Sequence, residues 1–313
     1  MPTIDPPVAW AFDADVVDLT GQPLPPTADF NVPPPPEIGK VVAAWTPART
    51  DKPTKSLWFK LLMPVAFFTA LYFLGGAIID RSVPARHDRE AANALLLSLL
   101  AAVALVTLWF VFKGRQKYIW YVAEGGMARA RVGRPAAAMT VLRFADAADL
   151  RVGQTRQYVN GIYAGTSYSY LWYGPDASTL LKLKGSYYGA KRVMRGNNAY
   201  RFCVVGEAMW NAHYLERASE ELTRTGSLTF AVNRNDAVRI SPERLEFFMR
   251  GEEVAIEKGD IAGITLNSGT FTVRHRDAKW YKRGGKYSFN YSAMSNAQVF
   301  LIALEKLLGY HFE

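Results

Sequence analysis

The chain has 313 residues, half of them hydrophobic, and a formal charge of +9. A single cysteine, Cys203, excludes an intrachain disulfide framework and suits a small buried apolar residue. The four histidines, His87, His213, His275 and His311, fall in no metal-ligand spacing, and HExxH, GxSxG and CxxC patterns do not occur, so no catalytic residue, cofactor or metal is expected.

Charge is unevenly placed along the chain. Residues 1–39 carry Asp5, Asp13, Asp15, Asp18, Asp29 and Glu37 and no Lys or Arg, whereas residues 113–313 hold 29 basic and 18 acidic side chains. The acidic part is punctuated by proline, including the run 33–36. Proline fixes φ and removes a donor, so residues 1–55 are expected to form a largely disordered, locally polyproline-II arm.

Two uncharged apolar stretches follow, 61–79 (LLMPVAFFTALYFLGGAII) and 92–112 (ANALLLSLLAAVALVTLWFVF), separated by the polar segment 80–91. A bilayer core is roughly 30 Å thick and takes about 20 apolar helical residues to cross, so residues 56–116 read as a transmembrane helical hairpin. Residues 1–20 lack the basic-then-apolar pattern of a secretory leader, so the first stretch is expected to act as its own insertion signal. Arg49, Lys52, Lys55, Lys60, Lys113, Arg115 and Lys117 flank the pair outside, against Arg81, Arg86 and Arg89 in the loop. The positive-inside rule then places both termini in the cytoplasm. Neither stretch contains an ionisable residue, which argues against a conducting pathway.

After residue 116 the period changes to that of strands. Residues 118–122, 127–132, 149–152, 168–173 and 180–183 alternate or are rich in β-branched and aromatic side chains. Residues 204–222 follow a helical spacing, with apolar residues at 205, 208, 209, 212, 215 and 222. Strands are expected again at 228–232, 238–240, 244–249, 253–256, 261–266, 271–275 and 287–291. A last helix is expected over 293–308, with Ser292 as N-cap and Gly309 as C-cap. The two successions align in outline as units over 117–223 and 226–313.

In the second unit ISPERLEF at 240–247 and EKGDIAGI at 257–264, and in the first EGGM at 124–127 and FADAADL at 144–150, carry a pattern that resembles pleckstrin-homology-like domains of bacterial membrane proteins. The resemblance implies a membrane helical hairpin plus an α+β body: two tandem small β-barrels or bent sheets, each capped by a C-terminal helix. It also implies a bacterial inner-membrane protein that binds or scaffolds and does not catalyse. A membrane-associated enzyme or transporter accessory subunit, and a toxin-immunity or signalling regulator, are the alternative readings.

Two basic segments are the candidate binding residues. One holds Lys182, Lys184, Lys191, Arg192 and Arg195; the other holds Arg274, Arg276, Lys279, Trp280, Lys282, Arg283 and Lys286. On a tethered protein such groups suit anionic lipid headgroups, and the tether counts against nucleic acid. The insertion 153–175 is rich in tyrosine and contains Asn160-Gly161, the signal of a tight hairpin turn. A projecting two-stranded ribbon is expected there, its rings forming either cross-strand packing or a protein-contact surface.

Overall fold

The computed structural model describes residues 15–24, 28, 30, 32–47, 79, 90, 92–98, 100–103, 105, 118–132, 135, 138–188, 198–278 and 285–310. The chain divides into two compact units, one of Met1–Thr46 with Ile119–Glu313 and one of Pro47–Tyr118.

The larger unit is built from one succession used twice. Strands β1 (Val41–Trp45), β2 (Tyr118–Ala123), β3 (Gly126–Arg131) and β4 (Thr140–Arg143) form an antiparallel sheet in that order. Strands β5 (Asp149–Val159), β6 (Ile162–Tyr173) and β7 (Thr179–Tyr187) form a second sheet, and the long helix α1 (Asn198–Thr225) follows. The second half repeats this. A four-stranded sheet holds β8 (Leu228–Ala231), β9 (Ala237–Ile240), β10 (Arg244–Met249) and β11 (Glu252–Glu257). A three-stranded sheet holds β12 (Ile261–Asn267), β13 (Thr270–His275) and β14 (Lys286–Asn290). Helix α2 (Ala297–Ala303) then passes into a π-helical turn over Leu304–Leu308. Gly309 ends it in the left-handed region at φ 77°, where glycine meets no Cβ penalty. All four sheets are open, so the closed small barrels expected from the resemblance are not formed.

The membrane reading is overturned. Among the described residues no helix is long and apolar enough to cross a bilayer. Helix α1, at 28 residues, has the length but carries Arg201, Glu207, Glu216, Arg217, Glu220, Glu221 and Arg224. Of the expected hairpin, residues 92–98 and 100–103 are helical, with Leu95 and Leu97 exposed, and nearly all of 61–79 lies outside the described residues. The inner-membrane location with cytoplasmic termini, the integral lipid partnership and the membrane-displayed scaffold lose their support with it.

Part of the expected arm is structural. Residues Pro36–Ile38 form a 3-10 turn and 41–45 form β1, which pairs with β2 at Ala44↔Tyr121 and Trp45↔Trp120. Phe30, Val32 and Ile38 are buried beside Ile119, Tyr121 and Ala123, and the Tyr121 hydroxyl donates to the Val32 carbonyl. Proline stops regular structure locally, yet the apolar residues between the prolines still gain by covering β2.

The hairpin forms as the sequence indicates. Asn160 (φ 50°) and Gly161 (φ 79°) make a two-residue turn with both φ positive between β5 and β6. Its rings belong to packing: Tyr168, Tyr170 and Trp172 are buried, and Tyr168 lies 5.1 Å from Tyr200 of α1 by ring centroids. A tyrosine contact surface on this insertion is therefore withdrawn for these three residues. Helix α1 keeps part of the expected face, with Leu215 and Leu222 packed against the core of the second half, but its most buried residues lie off that stripe. Phe202, Cys203, Trp210 and Ala218 are buried, whereas Ala208 and Ala212 are exposed.

Ile38, fully buried in a segment that reads as a spacer, gives a direct check. Replacing a buried Ile with Ala typically costs about 2–5 kcal/mol. Ile38→Ala is expected to lower the urea-unfolding free energy by about that amount; a change under about 0.5 kcal/mol contradicts a structural role for this segment.

Candidate functional site

Both halves lie in the same compact unit, and a cleft of about 870 Å³ opens between them. One wall is β5, with Val152, Gln154 and Arg156; the opposite wall is the β12–β13 turn and the stretch from Asn290 to Gln298; α1 contributes Glu207 and Asn211.

Asn296 sets the geometry. It is 3% exposed and takes a left-handed conformation (φ 50°, ψ 40°), which asparagine tolerates better than most residues. Its main-chain N–H donates to the Leu150 carbonyl at 2.8 Å, and its Oδ1 accepts from the Leu150 N–H at 3.0 Å. Asn296 thus supplies to β5 the donor and acceptor that a neighbouring strand would supply. The same Oδ1 accepts from Trp210 Nε1 at 2.9 Å, tying in α1. Ser295 repeats the device on β8: its N–H donates to the Ala231 carbonyl at 2.8 Å and its Oγ accepts from the Ala231 N–H at 3.0 Å.

β5 is the outer strand of its sheet, which runs β5-β6-β7. The Leu150 amide and carbonyl face away from β6, towards Asn296. Strand alternation turns the N–H and C=O of Val152 and Gln154 the same way, into the cleft.

The polar lining is connected. Tyr200 donates to Gln154 Oε1 at 3.5 Å, Gln154 Nε2 donates to the Tyr170 hydroxyl at 3.4 Å, and the Glu207 carboxyl lies near that hydroxyl. Burial raises the Glu207 carboxyl above the ordinary glutamate value of 4.5, with the neighbouring Tyr170 hydroxyl acting the other way. Burial also raises the hydroxyls of Tyr170 and Tyr291, the nearby Glu207 charge adding to both, and lifts Tyr200 to about 12.

The basic residues singled out in the sequence lie elsewhere. Lys182 and Lys184 are exposed on β7; Arg274 and Lys286 are exposed and directly opposite one another on β13 and β14. Arg276 is held against the β11–β12 connection, donating to the Gly259 carbonyl and pairing with Asp260 at 3.7 Å. None of these five lines the cleft. Lys191, Arg192, Arg195, Lys279, Trp280, Lys282 and Arg283 lie outside the described residues, as do His87 and His311. Among the described residues no group of His, Cys, Asp or Glu is arranged to hold a metal ion. Cys203 is fully buried and its thiol is pushed up by burial, the state of a packing residue.

Sequence reading passed over Asn296, Glu207 and Gln154. One signal was present. Cys203, Glu207, Trp210 and Tyr214 recur at three- and four-residue spacing, so a carboxylate sits on the stripe of α1 that carries Cys203 and Trp210. Neither a family model nor a curated relative matches the chain.

Two measurements check this site. Removing the Asn296 side chain leaves the buried Leu150 and Trp210 donors without their acceptor, each worth about 1–3 kcal/mol. Asn296→Gly is expected to lose at least about 2 kcal/mol, and Asn296→Ala about 1 kcal/mol more for left-handed strain; a loss below about 0.5 kcal/mol in both contradicts the assignment. Because the folded Glu207 carboxyl titrates above its unfolded value, it prefers the protonated form, and its unfavourable effect grows as pH rises from about 4.5 through its raised pKa. The stability of Glu207→Gln relative to the native protein should rise across that window and then level off; a flat difference contradicts the shift.

Proposed function

We propose that the protein binds an extended polypeptide segment in the cleft, added as a fourth strand to the free edge of β5. The observation that carries this reading is the Leu150–Asn296 pair, which forms the first rung of a ladder along an edge whose next positions, Val152 and Gln154, face the cleft. An edge strand presents unpaired main-chain donors and acceptors that can take up another chain, and strand addition draws its affinity from those main-chain bonds. The cleft volume lies within the range usual for ligand sites, about 300–1,000 Å³. Its side-chain lining is rich in amides, hydroxyls and one carboxylate, suited to holding a polar backbone.

The test uses a substitution that the sheet tolerates. Proline on an edge strand is accepted where its missing N–H would face outward, so Val152→Pro removes a donor to the incoming strand while keeping the Val152↔Tyr170 pairing position. Selection of a random displayed-peptide library on the full chain should enrich binders that lose at least ten-fold in affinity with Val152→Pro. Peptides that bind both proteins equally would contradict the reading.

A further inference from the structure

We infer that the cleft selects a segment carrying a positively charged side chain, with Glu207 as the group that receives it; this rests on the strand-addition reading above. Glu207 lines the cleft from α1, on the side of the helix that meets the three-stranded β5–β7 sheet. Its carboxylate lies near the Tyr170 hydroxyl, close enough for the two to interact electrostatically. Among the described residues no salt bridge reaches it, although the same kind of acid elsewhere in the unit is paired: Glu246 lies 2.6 Å from Arg244 and 3.1 Å from Arg239.

The surroundings favour a cation over water. A carboxylate drawn partly out of water gains more from a charge-assisted hydrogen bond than an exposed one does. Tyr291 lines the cleft, and the face of such a ring attracts ammonium and guanidinium groups. Arg156 is the one Lys or Arg among the described lining residues, two positions beyond Gln154 on β5. Charge along the cleft is therefore ordered, with a basic ligand residue placed at Glu207 and neutral or acidic residues towards Arg156.

Four dye-labelled pools of capped heptapeptides, random except for a central Lys, Arg, norleucine or Glu, would be titrated against the full chain at pH 7 by fluorescence anisotropy. The Lys and Arg pools are expected to bind at least ten-fold more tightly than the norleucine pool, with the Glu pool weakest. Glu207→Gln should reduce the Lys-to-norleucine ratio below two-fold; a ratio that stays at ten-fold or more in this variant overturns the role of Glu207. Equal Lys and norleucine binding by the native chain, with both weakened by Val152→Pro, overturns the charge preference and leaves strand addition standing. Binding that Val152→Pro does not weaken in any pool overturns both.

Discussion

The side chain of Asn296 does the joining on which the larger unit depends. One oxygen accepts from Leu150 on β5 and from Trp210 on α1, while the adjoining main-chain N–H holds the Leu150 carbonyl. These are buried groups, and a buried donor without an acceptor costs more than a satisfied one contributes. The left-handed conformation at Asn296 is the local cost of pointing the side chain and the main chain at β5 together. With Ser295 docked on Ala231, two consecutive residues ahead of α2 fasten the end of the second half both to its own first strand and to the first half.

That joint also explains why a cleft exists. Asn296 occupies one position of the β5 edge, and the stretch over Asn290–Ser292 runs alongside without continuing the ladder as a strand. β5 extends well past the joint, to Val159, because the Asn160-Gly161 turn lies far out along the hairpin. Among the described residues no main-chain hydrogen bond reaches the outer side of Val152 or Gln154, although the Tyr291–Ala293 turn packs close to β5. The tyrosines of the hairpin are consumed mainly in packing: Tyr187 lies 4.5 Å from Tyr200 with the rings tilted, and Tyr170 stacks at 6.1 Å from Trp172. The side chains left at the cleft are then mostly polar, with Gln154 bonded to the buried Tyr170 and Glu207 close by.

The order of elements was legible in the sequence because alternation, Asn-Gly and Gly signals are local. Most strands after residue 117 are found near their expected places, and Gly309 closes the last helix as anticipated. β1 and β4 were missed: the first follows a proline-rich run and owes its form to pairing with β2, and the second has only four residues, TVLR. The face of α1 was misjudged because apolar count favoured a stripe that includes the small residues Ala208 and Ala212, while the bulk of Phe202 and Trp210 decided which side turned inward. Ser292 read as a helix cap, but its N–H bonds Asn290 and the helix begins after Asn296. The site itself was illegible for a different reason: Leu150 and Asn296 are 146 positions apart, and no local pattern reports such a pairing.

Amide hydrogen exchange of the free protein, resolved at Leu150, Val152 and Gln154, tests the open edge most directly. The account predicts that Leu150, held by Asn296, exchanges slowly while Val152 and Gln154 exchange fast. Equal protection at all three amides would mean that the edge is already filled, and would contradict it.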